Sequence, residues 1–385
     1  MILRLPDYYK EFHCIAEKCK DSCCIGWEID IDEETLEYYK SIPGAFGRRL
    51  KENMIEGEET SFALHKGRCA FLNEKNLCDI CTELGETSLC EICLEYPRFT
   101  VEYGAVREKC LGLSCEEAGR LIFEKDTSMC LEETVLEEQY QWKEEEEEYE
   151  VCEGEMDDTQ YPFLETARDY VLELLKNREK NIEERAKGII LFASIVQNKM
   201  NEGDFSDIGQ VIEEYRSCIE AGKKEEPPDS VWQERFRLYQ ARMDVYEELE
   251  LLDKEWDTVF REMKEQYKDT ASYKQMQKEF IAHYTRKDIE YEHLLVYFVF
   301  RYGMKAVYDC NFLEKIQFSI VSFLVIRDMD ALCFQKKGRF GLEERIDMAR
   351  IYSKEVEHSE DNLEMLAEAC VFEESFSVEL LGKSI

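Results

Sequence analysis

Cysteine is the residue type in this 385-residue chain whose number and spacing could do chemistry. Eleven of the seventeen cysteines fall within the first 115 residues. A chain of this length buries enough surface to fold without covalent staples. Crowded thiols in such a chain are typical of a metal ion or an iron–sulfur cluster. The eleven are Cys14, Cys19, Cys23, Cys24, Cys69, Cys78, Cys81, Cys90, Cys93, Cys110 and Cys115.

Whether these cysteines bind metal or form disulfides depends on the redox state of the cellular compartment. The first residues, MILRLPDYYKEFHC, contain no apolar run typical of a signal peptide. The longest apolar runs, near 294–300 and 318–326, are far shorter than the roughly 20 residues of a membrane-spanning helix. We therefore expect a cytoplasmic protein with reduced thiols. The odd number of cysteines also opposes the alternative, a secreted disulfide module.

Two spacing patterns compete for a metal. One is Cys14-x4-Cys19-x3-Cys23-Cys24, to which later single cysteines would be added. The other is a pair of C-x2-C motifs, Cys78/Cys81 and Cys90/Cys93, a spacing common at zinc sites. Only eight residues separate the two motifs, fewer than is usual. In an extended chain the adjacent Cys23 and Cys24 would point to opposite sides, so that one of them could serve a second site or pack inside.

The charge balance restricts the partners. The chain has 86 acidic and 49 basic residues, a net charge of −37. Binding to nucleic acid or to an anionic membrane is disfavoured because both need Lys and Arg. A lysine-bearing protein partner is electrostatically favoured, although the acidic surface is also explained by solubility alone.

The pattern along the chain predicts a mainly α fold in two parts. Residues 1–122 form a small, irregular, cysteine-rich metal-binding domain, residues 123–160 an acidic connector, and residues 161–385 an all-helical domain. Within the first part, 27–31 reads as a short strand, Asp32 or Glu33 starts a helix, 71–78 forms a hairpin, and 114–123 a helix. Apolar residues at three- and four-residue steps predict the later helices. These are a helix from 161, a second around 189–196, a helix capped by Asp229 or Ser230 after Pro227–Pro228, and segments 230–265, 271–285, 287–309, 311–336, 340–355 and 359–381. The most apolar pair, 291–308 and 312–327, should form the core.

Several motifs follow one another in order through the first part of the chain. They are FHCI (12–15), CKDSCCIGW (19–27), RCAFL (68–72), NLCDI (76–80), LGE (84–86), LCEICLEYPR (89–98) and LSCEEA (113–118). Together they resemble the flagellin lysine-N-methylase family and its cysteine-rich iron- or zinc-chelating relatives. The resemblance is dense over about residues 8–122 and looser along the aromatic helix Tyr291–Val307.

This resemblance implies methyl transfer from S-adenosylmethionine to surface lysines of flagellin, with a four-iron (4Fe-4S) cluster near the donor. Cys14, Cys19, Cys23, Cys24, Cys69, Cys78, Cys90, Cys93 and Cys115 match the family's cysteines. Since such a cluster needs four ligands, the first candidates are Cys19, Cys23, Cys78 and Cys93, followed by Cys24 and Cys69. Cys81 replaces the family's usual aromatic residue and Ala70 its usual Pro. Cys81 keeps zinc as an alternative.

The residues also suggest how the reaction would be supported. No Gly-rich nucleotide-binding loop follows a predicted strand, so an open iron of the cluster could hold the donor instead. Arg98 could bind the carboxylate of the donor, or form a structural salt bridge. The lysine must lose its proton before it attacks, and Glu28, Asp30 and Tyr96 are candidate bases beside the predicted ligands. The alternative function is a non-catalytic zinc- or iron-binding protein with a helical partner-binding module.

Overall fold

A computed structural model describes residues 1–26, 29–57, 60–136, 160–218 and 228–385. The described chain is mainly α, as predicted. Its helices are α1 (Glu33–Ser41), α2 (Gly44–Glu52), α3 (Asp79–Leu84), α4 (Glu91–Glu95), α5 (Glu116–Phe123), α6 (Tyr161–Lys176), α7 (Ile182–Asn201), α8 (Ile208–Cys218), α9 (Asp229–Glu247), α10 (Lys254–Gln266), α11 (Thr270–His283), α12 (Lys287–Tyr302), α13 (Ala306–Asp309), α14 (Phe312–Lys337), α15 (Leu342–Val356), α16 (Glu360–Phe372) and α17 (Val378–Ser384). The strands are β1 (Ile2–Pro6), β2 (Met54–Ile55), β3 (Ser61–Phe62), β4 (Leu64–His65), β5 (Arg68–Cys69), β6 (Arg98–Tyr103), β7 (Val106–Leu111) and β8 (Leu131–Val135).

Helices α6–α17 surround one large apolar core, and α14 lies at its centre. Almost every residue of α12 and α14 is buried, which confirms that 291–308 and 312–327 form the core. A helix that is apolar on all sides must be enclosed by other elements. Here α14 contacts α7, α11, α12, α15 and α16. No helix among the described residues is long and apolar enough to cross a membrane.

A four-stranded sheet, which the sequence pattern did not predict, packs on this helical bundle. Its strand order is β6-β7-β1-β8, with β1 parallel to β7 and antiparallel to β8. Strand β7 lacks the apolar pattern of a buried strand, because Arg107, Glu108 and Lys109 are charged and yet buried. Glu108 accepts hydrogen bonds from Arg4 at 3.0 Å and from Arg168 at 2.7 Å. These ion pairs join the sheet to α6, and β6, β7 and α5 share the core of the bundle.

Some helix boundaries differ from the prediction. The segment 230–265 is two helices, α9 and α10, because the chain leaves the helix after Glu247 and Asp253 caps a new one. Pro228, and not Asp229 or Ser230, occupies the N-cap of α9. The segment 287–309 is also divided, because α12 ends at Tyr302 and a 3-10 turn (Gly303–Lys305) separates it from α13. Helix α8 was not predicted. The acidic connector contributes β8, whereas its residues 137–159 lie outside the described chain, as does Pro227.

A second, small apolar core lies between residues 29 and 93. We call residues 13–95, together with the neighbouring Cys115, the cysteine lobe. Asp32 caps α1 through a 2.8 Å hydrogen bond from the Thr35 N–H, as expected. The hairpin at 71–78 is present as a tight turn whose arms pair only at Leu72 and Cys78. Trp27 and Glu28 of the predicted strand 27–31 lie outside the described residues, and Asp30 makes only an isolated bridge with Ser61.

Candidate metal centre

Five thiols gather in the small core of the cysteine lobe, and we call them the inner thiol group. Its members are Cys24, Cys69, Cys78, Cys90 and Cys93. The Cys69 N–H donates to the Cys24 carbonyl at 2.9 Å, which holds the two segments side by side. The tight turn at 73–76 then returns the chain so that Cys78 faces the same core. Cys90 is fully buried, and Cys93 follows it within α4.

The local structure explains why these thiols face inward. Cys78 precedes α3 and Cys90 precedes α4, so each occupies an N-cap position. Burial raises the pKa of Cys78 to about 11, partly offset by N–H groups of Cys81 and Ile80. Burial also raises the pKa of Cys69 to about 12, and the neighbouring thiols of Cys24, Cys78 and Cys90 add to the rise. Buried, mutually repelling thiols are stabilised as thiolates when a cation binds among them.

A second set, the outer thiol group, consists of Cys14, Cys19 and Cys115. Burial, followed by the thiols of Cys115 and Cys14, raises the pKa of Cys19 to about 12. Cys115 is the N-cap residue of α5 and packs against the large core. The Lys20 N–H donates to the Glu116 carboxylate at 2.8 Å, which ties the loop after Cys19 to α5. Cys14 is exposed, so this group reaches solvent.

Cys23 lies between the two groups, next to Cys24 of the inner group. The chain turns here, with the Ile25 N–H donating to the Ser22 carbonyl at 3.1 Å. The prediction that the two side chains point to opposite sides is therefore wrong, because it assumed an extended backbone. The hydrogen bond between the two thiols lowers the pKa of Cys24 to about 7, despite burial, and raises that of Cys23. Cys23 also has Cys14 and Cys115 as electrostatic neighbours.

Two nearby cysteines stand apart from these sets. Cys110 lies on β7 inside the large core, where its thiol is 3.4 Å from the hydroxyl of Tyr8. Cys81 lies on α3 one turn after Cys78, and burial raises its pKa with smaller contributions from Glu86 and Cys14. The C-x2-C spacing does not distinguish these two cysteines, whereas in the structure Cys78 packs against the small core and Cys81 does not.

The loop between Cys19 and Cys23 is anchored to the bundle through Asp21. Its carboxylate accepts hydrogen bonds from Arg350 at 2.5 Å and from Lys354 at 2.7 Å, both on α15. Asp21, Asp253 and Glu255 have carboxylate oxygens within 4.8 Å of one another. The two cations neutralise most of this charge, so the cluster is a clamp between lobe and bundle. Nothing in the sequence indicated this clamp, because Asp21 is more than 200 residues away from every other member.

The predicted donor and base residues have distinct surroundings. The guanidinium of Arg98 lies 5.0 Å from the centre of the Phe12 ring and donates to the Leu94 carbonyl at 3.3 Å. It thus bridges the segments that carry Cys14 and Cys93, and forms no ion pair with a described residue. The Tyr96 hydroxyl donates to Ser114 Oγ at 3.1 Å, and burial, followed by the neighbouring Cys115, raises its pKa. Asp30 is half-buried, and Glu28 lies outside the described residues.

The six cysteines ranked first in sequence divide between these sets. Cys24, Cys69, Cys78 and Cys93 belong to the inner group, Cys19 belongs to the outer group, and Cys23 lies between. The ranking left out Cys90, Cys14 and Cys115, although all three match motifs of the family. The signal that could have found Cys90 is its C-x2-C spacing to Cys93.

The helical bundle matches a family of lysine N-methylases. Residues 168–381, more than half of the chain, match the family model described as FliB lysine N-methylase C-terminal domain, and the chain therefore belongs to that family. The matched segment forms most of the helical bundle. No solved structure matches the chain.

Two curated relatives carry related names. The "Lysine-N-methylase" of Salmonella typhimurium is 24% identical over 144 residues, which cover 35% of this chain and 36% of the relative. The "Flagellar biosynthetic protein FliU" of Salmonella muenchen is 27% identical over 136 residues, 33% of this chain and 80% of that protein. The chain thus spans about a third of the length of the lysine-N-methylase that it matches.

Proposed function

We propose that this protein is a protein-lysine N-methyltransferase that acts on flagellin in the cytoplasm. S-adenosylmethionine would be the methyl donor, and an iron–sulfur cluster would lie in the cysteine lobe. The observation that carries the proposal is the match of the bundle, residues 168–381, to a lysine N-methylase family. The name of the FliU relative supports a flagellar substrate, and the net charge of −37 favours a lysine-bearing partner.

The thiols fit a cluster better than a single zinc ion. A tetrahedral zinc site with Zn–S bonds near 2.3 Å places its sulfurs about 3.8 Å apart. Among the described residues no three thiols lie within 4.8 Å of one another. A four-iron cluster is a wider object and holds its thiolates farther apart. Four of the thiols in the outer and inner groups would supply its ligands.

A bound cluster with one iron free of cysteine would supply a site for the amino and carboxylate groups of the donor. The protein's own contribution begins with Arg98, whose guanidinium has no carboxylate partner among the described residues and can pair with the carboxylate of the donor. Its stacking on Phe12 holds it beside the segment of Cys14. The neighbouring Tyr96 donates to Ser114 and keeps the loop before α5 in place.

Methyl transfer forms a bond between the lysine Nε and the methyl carbon while the bond from that carbon to the sulfonium sulfur breaks. The lysine must arrive as the neutral amine, so its proton has to pass to a base or to water. A carboxylate accepts such a proton more readily than the buried phenol of Tyr96, whose pKa is raised. Asp30 is therefore the first described candidate for this role, and Glu28 is the other carboxylate.

The test is anaerobic incubation of the purified full-length protein with flagellin and labelled S-adenosylmethionine, followed by mass spectrometry of flagellin lysines. We expect methylated lysines with wild type and with Cys333→Ser, a thiol inside the bundle. We expect none with Cys93→Ser. Arg98→Ala should raise the KM for the donor at least tenfold, and Arg98→Lys should restore part of the loss. A wild-type protein that binds metal but transfers no methyl group would instead support a non-catalytic metal-binding protein.

A further inference from the structure

The number of thiols in the cysteine lobe exceeds what one metal centre uses. A four-iron cluster takes four protein ligands at most, and so does a tetrahedral zinc ion. The inner and outer thiol groups together with Cys23 hold nine. Disulfide pairing of the remaining thiols is disfavoured in the reducing cytosol. The thiols beyond the first four therefore need another explanation.

We infer that the lobe holds two separate metal centres, one bound by the outer thiol group and one by the inner thiol group. The inference rests on the metal-binding role proposed above and goes beyond it. The outer centre would use Cys14, Cys19 and Cys115. The inner centre would use four thiols from the set Cys24, Cys69, Cys78, Cys90 and Cys93.

The two groups are anchored to different parts of the protein. Cys69 and Cys90 are buried members of the small core, where Cys24, Cys78 and Cys93 pack against them. Cys115 packs instead against the large core, at the start of α5. The loop of Cys19 is fixed to that same helix by the hydrogen bond from the Lys20 N–H to Glu116, and to α15 through Asp21. The groups therefore belong to two rigid frames that meet at the lobe–bundle junction.

The neighbours of each thiol follow the same division. The strongest thiol neighbours of Cys19 are Cys115 and Cys14, and that of Cys115 is Cys14. Within the inner group, Cys69 has Cys24, Cys78 and Cys90 as neighbours. Cys23 and Cys81 each have neighbours in both groups, and the division does not depend on where either of them binds.

The two centres would differ in access. The inner group has enough thiols to fill all four ligand positions of a metal centre. Two of its members, Cys69 and Cys90, are buried. The outer group has three thiols, of which Cys14 is exposed. A centre with three protein ligands keeps an open position, as catalytic sites do, whereas a fully ligated one is structural. The outer centre is thus the one that a small molecule can reach.

The first measurement is the iron, zinc and acid-labile sulfide content of the full-length wild-type protein, purified without oxygen. Two centres predict about eight irons with matching sulfide if both are four-iron clusters, or about four irons and one zinc if they differ. A wild-type content of four irons without zinc, or of one zinc alone, would overturn the inference. Neither result depends on whether a variant folds.

The second measurement compares Cys115→Ser with Cys69→Ser. Each variant should lose one centre and keep the other, the two remaining electron paramagnetic resonance or absorption spectra should differ, and the double variant should lose both. Cys130→Ser, an exposed thiol outside the lobe, is the control and should keep the full metal content. If either single variant loses all metal while the bundle keeps its thermal transition, the lobe holds one centre.

These results separate the inference from the proposed function. A protein with one centre that methylates flagellin would refute the inference alone. A protein with two centres that transfers no methyl group would refute the proposed methyltransferase activity alone.

Discussion

The helical bundle and the cysteine lobe differ in the size of their apolar cores. The bundle encloses a continuous apolar core in which α12 and α14 are buried on every side. Among its described residues the lobe has nine buried apolar residues, and two of them are the thiols Cys69 and Cys90. Its helices and strands are short, from two to nine residues. So small a core contributes little stability by itself, and the metal centre proposed above would add the metal–thiolate bonds that stabilise small domains.

The two regions of the chain therefore differ in role. The bundle is a frame whose stability comes from burial. The lobe gathers thiols that this frame positions through Asp21, Glu116 and the sheet.

The largest effect should come from removing metal. We expect chelation under reducing conditions to unfold residues 29–95 and to leave the bundle folded. Hydrogen–deuterium exchange read by mass spectrometry should show full loss of protection in α1–α4 and unchanged protection in α12 and α14. Equal loss in both regions would show that the bundle depends on the metal too, and would end the comparison.

The next effect concerns the joint between sheet and bundle. Glu108→Gln should lower the free energy of unfolding by about 3–5 kcal/mol, because it leaves Arg168 and Arg4 without their buried carboxylate. The matched control is Glu132→Gln on β8, whose pair with Lys10 is exposed and contributes about 0–1 kcal/mol. Urea titration of the main unfolding transition measures both. Equal losses would mean that the Glu108 cluster does not hold the sheet to the bundle.

A smaller effect should appear at Asp32, within the lobe. Its carboxylate accepts hydrogen bonds from the N–H groups of Thr35 at 2.8 Å and of Glu91 at 2.9 Å, and so links α1 to the start of α4. Asp32→Ala should cost about 1–2 kcal/mol, and Asp32→Asn, which keeps one acceptor, should cost less. The readout is exchange protection of α1 in the metal-loaded protein, with α12 as the internal reference. A change in α12 of similar size would argue that the lobe and the bundle unfold together.

The smallest effect is the pH dependence of the bundle at His293. Burial lowers the pKa of this imidazole, whose Nε2 lies 3.0 Å from the Thr127 carbonyl. Below about pH 6.5 this histidine is protonated in the unfolded chain but stays neutral in the folded protein. The free energy of unfolding therefore falls as the pH drops below about 6.5. The loss cannot exceed about 1.4 kcal/mol per pH unit for one proton. Urea midpoints at pH 7, 6 and 5 should therefore fall less for His293→Gln than for wild type.

The elements read from local patterns were the ones that the structure confirmed. Asp32 before an acidic first turn predicted the start of α1, and the apolar runs predicted α12 and α14. The sheet was not predicted because β1 pairs with strands about 100 and 130 residues away, and because charged residues fill β7. The single segment 230–265 concealed a helix break, since apolar spacing continues across it.

The sequence by itself determined the mainly helical class, the concentration of thiols near one end and the motifs that resemble a lysine-methylase family. Composition and short spacings carry that information, and both are local properties. Contacts in the folded protein establish which thiols face one another, that Cys110 lies inside the large core, and that Asp21 joins the cysteine loop to α15. Those relations depend on contacts between residues far apart in the chain, which arise when the large core brings the sheet, α5 and α15 together.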